Sequence, residues 1–210
     1  MILADEALKR LKEGNQRFVA DECTSGQLAN QKRRNEVVTG QNPMAIILGC
    51  SDSRVPAEIV FDQGLGELFV IRVAGNIVAP SQVGSIEFAA ERFGTQLVVV
   101  MGHSHCGAIE ATLEELQHPS GYRSANLHSI VDRIQPSVET LLETDLKDRP
   151  AELLHFSIRA NIRMSVNHLC RGSAVLEKMI QDGHLKVVGA SYSLETGEVE
   201  FFDGSHQSRS

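Results

Sequence analysis

The sequence lacks any long hydrophobic run. Apolar stretches such as residues 45–48 and 97–101 are far shorter than the roughly 20 residues that a membrane-spanning helix needs. Acidic residues stand at positions 5 and 6, where a secretion signal would place basic residues before a long apolar segment. We therefore expect a cytoplasmic protein with no membrane partner.

Positive charge is also scarce. Lys and Arg number 20 against 27 Asp and Glu, which gives a net charge of −7. Nucleic-acid binding depends on basic side chains that neutralise phosphates, and the sequence has no basic cluster beyond residues 32–34. This composition argues against a nucleic-acid partner.

Cysteine is sparse, with four in 210 residues: Cys23, Cys50, Cys106 and Cys170. In an intracellular protein, cysteines more often bind metal or react than form disulfides. We interpret Cys50 and Cys106 in this way. Cys23 and Cys170 have no polar neighbours at ligand spacing, so we expect them to be inert packing residues.

Short apolar runs rich in Val and Ile predict the strands. Four of them lie at 44–48, 68–73, 97–101 and 185–190. The turn-like sequence at 195–197 is followed by a further apolar run at 199–202. That order predicts a hairpin whose second strand is antiparallel.

Helical patterns lie between the predicted strands. They cover 4–20, 81–92, 107–117 and several segments of 123–182, which Pro136, Pro150 and Gly172 are expected to separate. Alternation of strands and helices predicts an α/β fold with a mostly parallel central sheet, about four parallel strands plus a C-terminal antiparallel strand, flanked by helices. We expect one domain over 1–210, with an N-terminal helical arm at 1–40 and a flexible polar tail at 205–210.

Two chemically reactive segments directly follow predicted strands. Cys50, Asp52 and Arg54 follow the first strand, whereas His103 and Cys106 follow the third. In open α/β sheets, ligands bind at the carboxyl ends of the strands, where the strand order reverses. The two segments are therefore expected to meet although about 50 residues separate them.

Thiolate and imidazole groups are the preferred ligands of Zn²⁺, and three protein ligands leave one tetrahedral position open, as in catalytic zinc sites. His103 and Cys106 are three residues apart, a spacing that lets both face one point on a turn entering a helix. Cys50 would be the third ligand. On spacing alone, His105 competes with His103 for this role.

Asp52 and Arg54 lie two residues apart, and such residues share one side of an extended chain. A guanidinium group can grip a carboxylate through two parallel hydrogen bonds. Beside a metal, a carboxylate fixed in this way could accept a proton from bound water. The alternative for an isolated pair is an ordinary surface ion pair of little energetic value.

Several segments together resemble the β-class carbonic anhydrases. The matching segments are LKEGNQRF at 11–18, CSDSR at 50–54, GELFVIRVAGN at 66–76, SIEFA at 85–89 and GHSHCGA at 102–108. The resemblance extends over about residues 4–203.

The resemblance implies a zinc enzyme that reversibly hydrates carbon dioxide to bicarbonate and a proton through hydroxide on the metal. It implies zinc held by Cys50, His103 and Cys106, with Asp52 and Arg54 as the catalytic pair. Substrate-binding positions are also implied: Gln41 as a hydrogen-bonding side chain, Gly107 as a backbone N–H donor, Phe69 as a wall of the carbon dioxide pocket, and Phe88 where the family has an aromatic residue from the neighbouring subunit.

The family is further expected to form dimers, or tetramers built from dimers, in which N-terminal helices embrace the partner. In a subset, the aspartate corresponding to Asp52 leaves the arginine and binds zinc. Some of that subset bind bicarbonate at positions that match Gly49, Arg72 and Tyr192. Here Ile47 stands where the subset has Trp.

Two other functions remain open from the sequence. An enzyme of the same fold could act on carbon disulfide or carbonyl sulfide. Alternatively, a zinc-buffering or redox-sensing protein could use Cys50 and Cys106 as a thiol pair, and it would need neither Asp52 nor Arg54.

Overall fold

The computed structural model describes residues 2–24, 29–119 and 124–203. These ranges contain five strands and eight α-helices. The strands are β1 (Ala45–Gly49), β2 (Leu68–Arg72), β3 (Leu97–His103), β4 (Lys186–Tyr192) and β5 (Val199–Asp203). The helices are α1 (Ala4–Val19), α2 (Gln31–Val37), α3 (Ala57–Val60), α4 (Pro80–Phe93), α5 (Gly107–Gln117), α6 (Ala125–Val138), α7 (Pro150–Arg171) and α8 (Ala174–Gln181).

The five strands form one sheet in the order β2-β1-β3-β4-β5. Strands β1 to β4 run parallel, and β5 pairs antiparallel with β4. This confirms the predicted fold class. The chain passes from β1 to β2 on one side and returns to β3 on the other, so the strand order reverses between β1 and β3.

Strands β1 and β3, which lie next to each other inside the sheet, are buried along their whole length. Alternate residues face opposite sides of a strand, and the apolar core accordingly has two parts. Ile46 and Leu48 belong to the cluster under the helices that follow β2, whereas Ile47 belongs to the cluster under α1 and α3. Helices on both faces explain why these strands read as continuous apolar runs rather than alternating ones.

Helix α1 packs on the chain's own sheet, and Leu11 is fully buried there. Gly14 is required by the closeness of this contact, because a Cβ at that position would lie 1.8 Å from the carbonyl oxygen of Phe61. Buried Asn15 donates to the carbonyl oxygens of Val60 and Gly197. These contacts explain two residues that would otherwise weaken a helix interior.

Prolines and glycines mark most helix ends as predicted. Gly94 caps α4 with a left-handed backbone at φ 65°, Pro150 starts α7, and Gly172 ends it. The expected break at Pro136 is wrong by two residues, because this proline lies inside the last turn of α6. A proline inside a helix gives up its own hydrogen bond to the residue four before it, and α6 continues for only two residues beyond Pro136.

The prediction that Cys23 is a packing residue is wrong, since its side chain is exposed, while Cys170 is half-buried. No helix among the described residues combines the length and the apolar character needed to cross a membrane. The expected tail at 205–210 lies outside the described residues, and the single domain and cytoplasmic location stay predictions.

Candidate metal centre

The two reactive segments meet where the strand order reverses. Cys50 directly follows β1, and His103 is the last residue of β3. Cys106 is the N-cap residue of α5. The sulfur atoms and one imidazole nitrogen of these three buried residues all lie within 4.8 Å of one another. The carboxyl ends of two neighbouring parallel strands thus bring together side chains that are distant in the sequence.

The three side chains fit a tetrahedral metal ion. The sulfur atoms of Cys50 and Cys106 are 4.0 Å apart, close to the roughly 3.8 Å that follows from tetrahedral geometry and metal–sulfur bonds of about 2.3 Å. The Nε2 atom of His103 is buried and has no hydrogen-bond partner in the described part of the chain. Its Nδ1–H donates to the carbonyl oxygen of Ser104 at 2.9 Å, which leaves the Nε2 lone pair free for a metal.

The competition between His103 and His105 is decided by this geometry. His105 is mostly exposed, and its Nε2–H donates to Oε1 of Glu195 at 2.7 Å. Its ring is therefore engaged away from the two sulfur atoms. Only His103 presents an unpartnered nitrogen to them.

The two thiols cannot lose their protons independently. The contact with Cys106 lowers the pKa of Cys50 more than burial raises it, and a hydrogen bond from the backbone N–H of Gly75 lowers it further. A Cys50 thiolate and burial together raise the pKa of Cys106. A divalent cation supplies the positive charge that lets both sulfurs be thiolates, because metal ligands bind in the deprotonated form.

Asp52 and Arg54 form the two-pronged contact that their spacing allows. Arg54 donates from Nε to Oδ1 of Asp52 at 2.9 Å and from Nη2 to Oδ2 at 2.8 Å. This guanidinium holds the pKa of Asp52 well below its usual range. The same Oδ2 lies 3.9 Å from Nε2 of His103, so an ionised carboxylate borders the three-residue cluster.

Arg72 has a structural role that the sequence did not reveal. It donates from Nε to the carbonyl oxygen of Cys50 at 3.0 Å and from Nη2 to that of Asp52 at 2.6 Å. It therefore fixes the loop that carries the first sulfur and the carboxylate. The sequence signal was the resemblance of Arg72 to a bicarbonate-binding position, which indicated a different role.

Three of the implied substrate-binding residues belong to segments at or near the end of the strands opposite to Cys50. Gln41 precedes β1, whereas Cys50 follows it, and a strand of five residues spans about 17 Å. Phe69 pairs with Ile46 near the start of the strands. The ring of Phe88, which is 53% exposed, lies 6.3 Å from that of Phe69.

Gly107, by contrast, directly follows Cys106 and begins α5. A Cβ atom at this position would meet no other atom within 4 Å. The first backbone N–H groups of a helix lack partners within it and favour negative charge. Gly107 is thus the implied substrate-binding residue that lies beside the cluster.

Comparison with known proteins places this arrangement in a family. The family model described as carbonic anhydrase matches residues 45–199. A curated relative, carbonic anhydrase 2 of Mycobacterium tuberculosis, is 38% identical over 200 residues, which cover 94% of this chain and 92% of the relative.

Solved structures share the fold. A β-carbonic anhydrase of Aspergillus fumigatus matches with a TM-score of 0.75 at 24% identity, over 96% of this chain and 91% of that one. One of two tetrameric β-carbonic anhydrases of Sordaria macrospora matches with a TM-score of 0.73 at 22% identity, over 90% and 93% of the two chains. The sequence matches and the shared fold agree with the Cys–His–Cys cluster, and the chain belongs to the β-class carbonic anhydrase family.

Proposed function

We propose that this chain reversibly hydrates carbon dioxide to bicarbonate and a proton with one zinc ion held by Cys50, His103 and Cys106. The observation that carries the proposal is the convergence of two buried sulfurs and one unpartnered imidazole nitrogen. Family membership supports carbon dioxide as the substrate.

Zinc suits this donor set, because two sulfurs and one imidazole are typical ligands and three protein ligands leave a fourth position for water. When bound, zinc lowers the pKa of that water and so supplies a nucleophile at moderate pH. The chain's own residues must then orient the water, admit carbon dioxide and stabilise the charge of bicarbonate.

Asp52 is the residue that orients the attacking water. Because its pKa is held low, it is ionised and can only accept hydrogen bonds. Accepting one from the water turns a lone pair of the water oxygen towards carbon dioxide. Arg54 fixes both carboxylate oxygens, and the backbone N–H of Gly107 at the start of α5 favours the negative charge of the product.

Gln41, Phe69 and Phe88 are proposed to serve the metal centre of a neighbouring subunit. Their position towards the end of the strands opposite to Cys50 and the exposure of Phe88 support this assignment. The protein would then be a dimer, or a tetramer built from dimers, in which each active site draws on two chains. Phe88 offers no hydroxyl group, so its contribution is an apolar wall.

Closure of the site by Asp52 is a further part of the proposal. Oδ2 of Asp52 lies 3.9 Å from the nitrogen that would bind zinc, so a change of side-chain rotamer could bring the carboxylate to the metal in place of water. Arg54 opposes this movement. A bicarbonate pocket at Gly49, Arg72 and Tyr192 would draw on N–H groups of Arg72 other than the two that donate to the carbonyl oxygens of Cys50 and Asp52, since a guanidinium group has five N–H donors.

The catalytic pair can be tested with variants that keep the metal ligands. We expect Asp52→Ala and Arg54→Ala to retain one zinc per chain and to lose about 10²–10⁴-fold in the rate of carbon dioxide hydration, the usual contribution of a positioned proton acceptor. Zinc content by mass spectrometry and stopped-flow hydration assays give the two measurements.

The same variants separate the alternative functions. If the protein is a zinc buffer or a thiol sensor, replacement of Asp52 or Arg54 should leave the measured rate of carbon dioxide hydration unchanged. Hydrolysis of carbon disulfide or carbonyl sulfide by the unmodified protein, without hydration of carbon dioxide, would contradict the proposed substrate.

The ionisation of Asp52 depends on the guanidinium fork of Arg54. We expect Arg54→Ala to raise the pKa of Asp52 towards the ordinary value of about 3.9, because the largest cause of its lowering is removed. A lowered pKa stabilises the fold above the unfolded-state pKa, and this contribution is lost as the pH falls through the lowered value. Carbon NMR of the Asp52 carboxyl during an acid titration measures the shift, and an unchanged pKa would contradict the assigned cause.

The ligand charges predict an alkaline-favouring enzyme. Two thiolates neutralise a divalent zinc ion, whereas three imidazoles leave it cationic, so the bound water should be less acidic than the pKa of about 7 seen with three histidines. We expect the rate constant for hydration to rise from neutral into alkaline pH. A stopped-flow profile that stays flat from acidic to alkaline pH would be evidence against two thiolate ligands.

Sharing of the active site between chains can be tested by complementation. Cys50→Ser removes a metal ligand, and Gln41→Ala removes a side chain proposed to act on the partner. In a two-fold dimer, random mixing by co-expression should leave about a quarter of the sites intact. We expect activity above the average of the separately purified variants, whereas no recovery would show that Gln41 does not act across the interface.

A further inference from the structure

Ser104 and His105 lie between the proposed metal ligands His103 and Cys106. The backbone carbonyl oxygen of each accepts a hydrogen bond from a residue of the metal centre. The carbonyl oxygen of Ser104 accepts the Nδ1–H of His103 at 2.9 Å. The carbonyl oxygen of His105 accepts Nη2 of Arg54 at 3.2 Å. The orientation of this dipeptide therefore sets both the imidazole and the guanidinium group.

The backbone of His105 lies in a conformation that needs support. Its φ is 52°, in the left-handed region that residues with a side chain seldom adopt. Such a conformation persists when the surrounding contacts hold it in place. The contacts that hold His105 are therefore also contacts that keep its carbonyl oxygen on Arg54.

Glu195, in the turn between β4 and β5, supplies these contacts from outside the metal loop. Its Oε2 accepts the hydroxyl of Ser104 at 2.7 Å, and its Oε1 accepts Nε2–H of His105 at 2.7 Å. The same Oε2 accepts the hydroxyl of Ser193 at 3.1 Å. The backbone N–H of Leu194 donates to the Ser104 hydroxyl at 2.9 Å. One carboxylate thus holds both residues of the dipeptide against the β4–β5 turn.

We propose that Glu195 is a positioning residue of the metal centre, which acts through Ser104 and His105 on the zinc ligand His103 and on the catalytic Arg54. The inference rests on the proposed zinc site. The side-chain hydrogen bonds of Glu195 in the described part of the chain go to Ser104, His105 and Ser193, and none goes to the three proposed metal ligands. Its effect is on the orientation of groups that touch the metal or the carboxylate of Asp52.

The exposure of the Glu195 and His105 side chains distinguishes a role in positioning the metal centre from a role in stabilising the fold. The side chains of Glu195 and His105 are 55% and 61% exposed, and exposed ion pairs add little to folding stability. Replacement of a residue that orients a metal ligand, in contrast, commonly lowers metal affinity or activity about 10–100-fold. Loss of Glu195 should therefore alter the centre more than the stability of the fold.

The test compares Glu195→Ala and Glu195→Gln with the matched control Glu198→Ala, which removes an exposed acidic residue of the same turn. Zinc affinity is measured by competition with a chromogenic chelator, kcat and KM by stopped-flow hydration, and stability by thermal unfolding. We expect Glu195→Ala to lose about 10–100-fold in zinc affinity or in kcat, with a smaller change in KM. The control should remain within about two-fold of the unmodified protein.

Glu195→Gln keeps an acceptor oxygen and should fall between the alanine variant and the unmodified protein in both measurements. Equal zinc affinity and kcat in Glu195→Ala and the unmodified protein would overturn the inference and leave the proposed function intact. Equal losses in Glu195→Ala and Glu198→Ala would also overturn it, since they would trace to the charge of the turn. Failure of the unmodified protein to bind zinc or hydrate carbon dioxide would instead reject the proposed function.

Discussion

Two buried thiols 4.0 Å apart create the electrostatic condition on which the site depends. The first to ionise raises the pKa of the second, so both can be thiolates only when a cation lies between them. The unpartnered nitrogen of His103 faces the same point. These groups are costly to bury alone, and a bound metal ion removes that cost by giving each of them a partner.

The sheet creates this condition through its strand order. Cys50 and His103 stand at the carboxyl ends of adjacent parallel strands, and the chain leaves those strands in opposite directions. The helices on both faces bury β1 and β3 fully, which gives the cluster rigid support. Around it, Arg54, Arg72 and Glu195 make hydrogen bonds to the loops that follow β1 and β3.

Much of this architecture was readable from local patterns. Short apolar runs rich in Val and Ile predicted the four parallel strands, and the turn-like sequence at 195–197 with the apolar run after it predicted β5. Gly94 and Pro150 marked helix ends because their backbone limits act locally. Pro136 was expected at a helix break, and α6 ends two residues later, at Val138, because the one hydrogen bond that a proline removes does not fix the last residue of a helix. Cys23 was misread as buried because its exposure depends on how the end of α1 lies on the rest of the fold, which its neighbours in sequence do not specify.

The sequence by itself determined the chemical inventory: thiols and imidazole at strand ends, a carboxylate two residues from a guanidinium, and the periodicities that fold them into an α/β sheet. Only the tertiary structure decided that His103 rather than His105 faces the sulfurs, that Arg72 holds the carbonyl oxygens of Cys50 and Asp52, and that Glu195 reaches the loop between two ligands. The physical reason is that side-chain direction and long-range hydrogen bonds depend on how distant segments pack, and spacing along the chain carries no record of that packing.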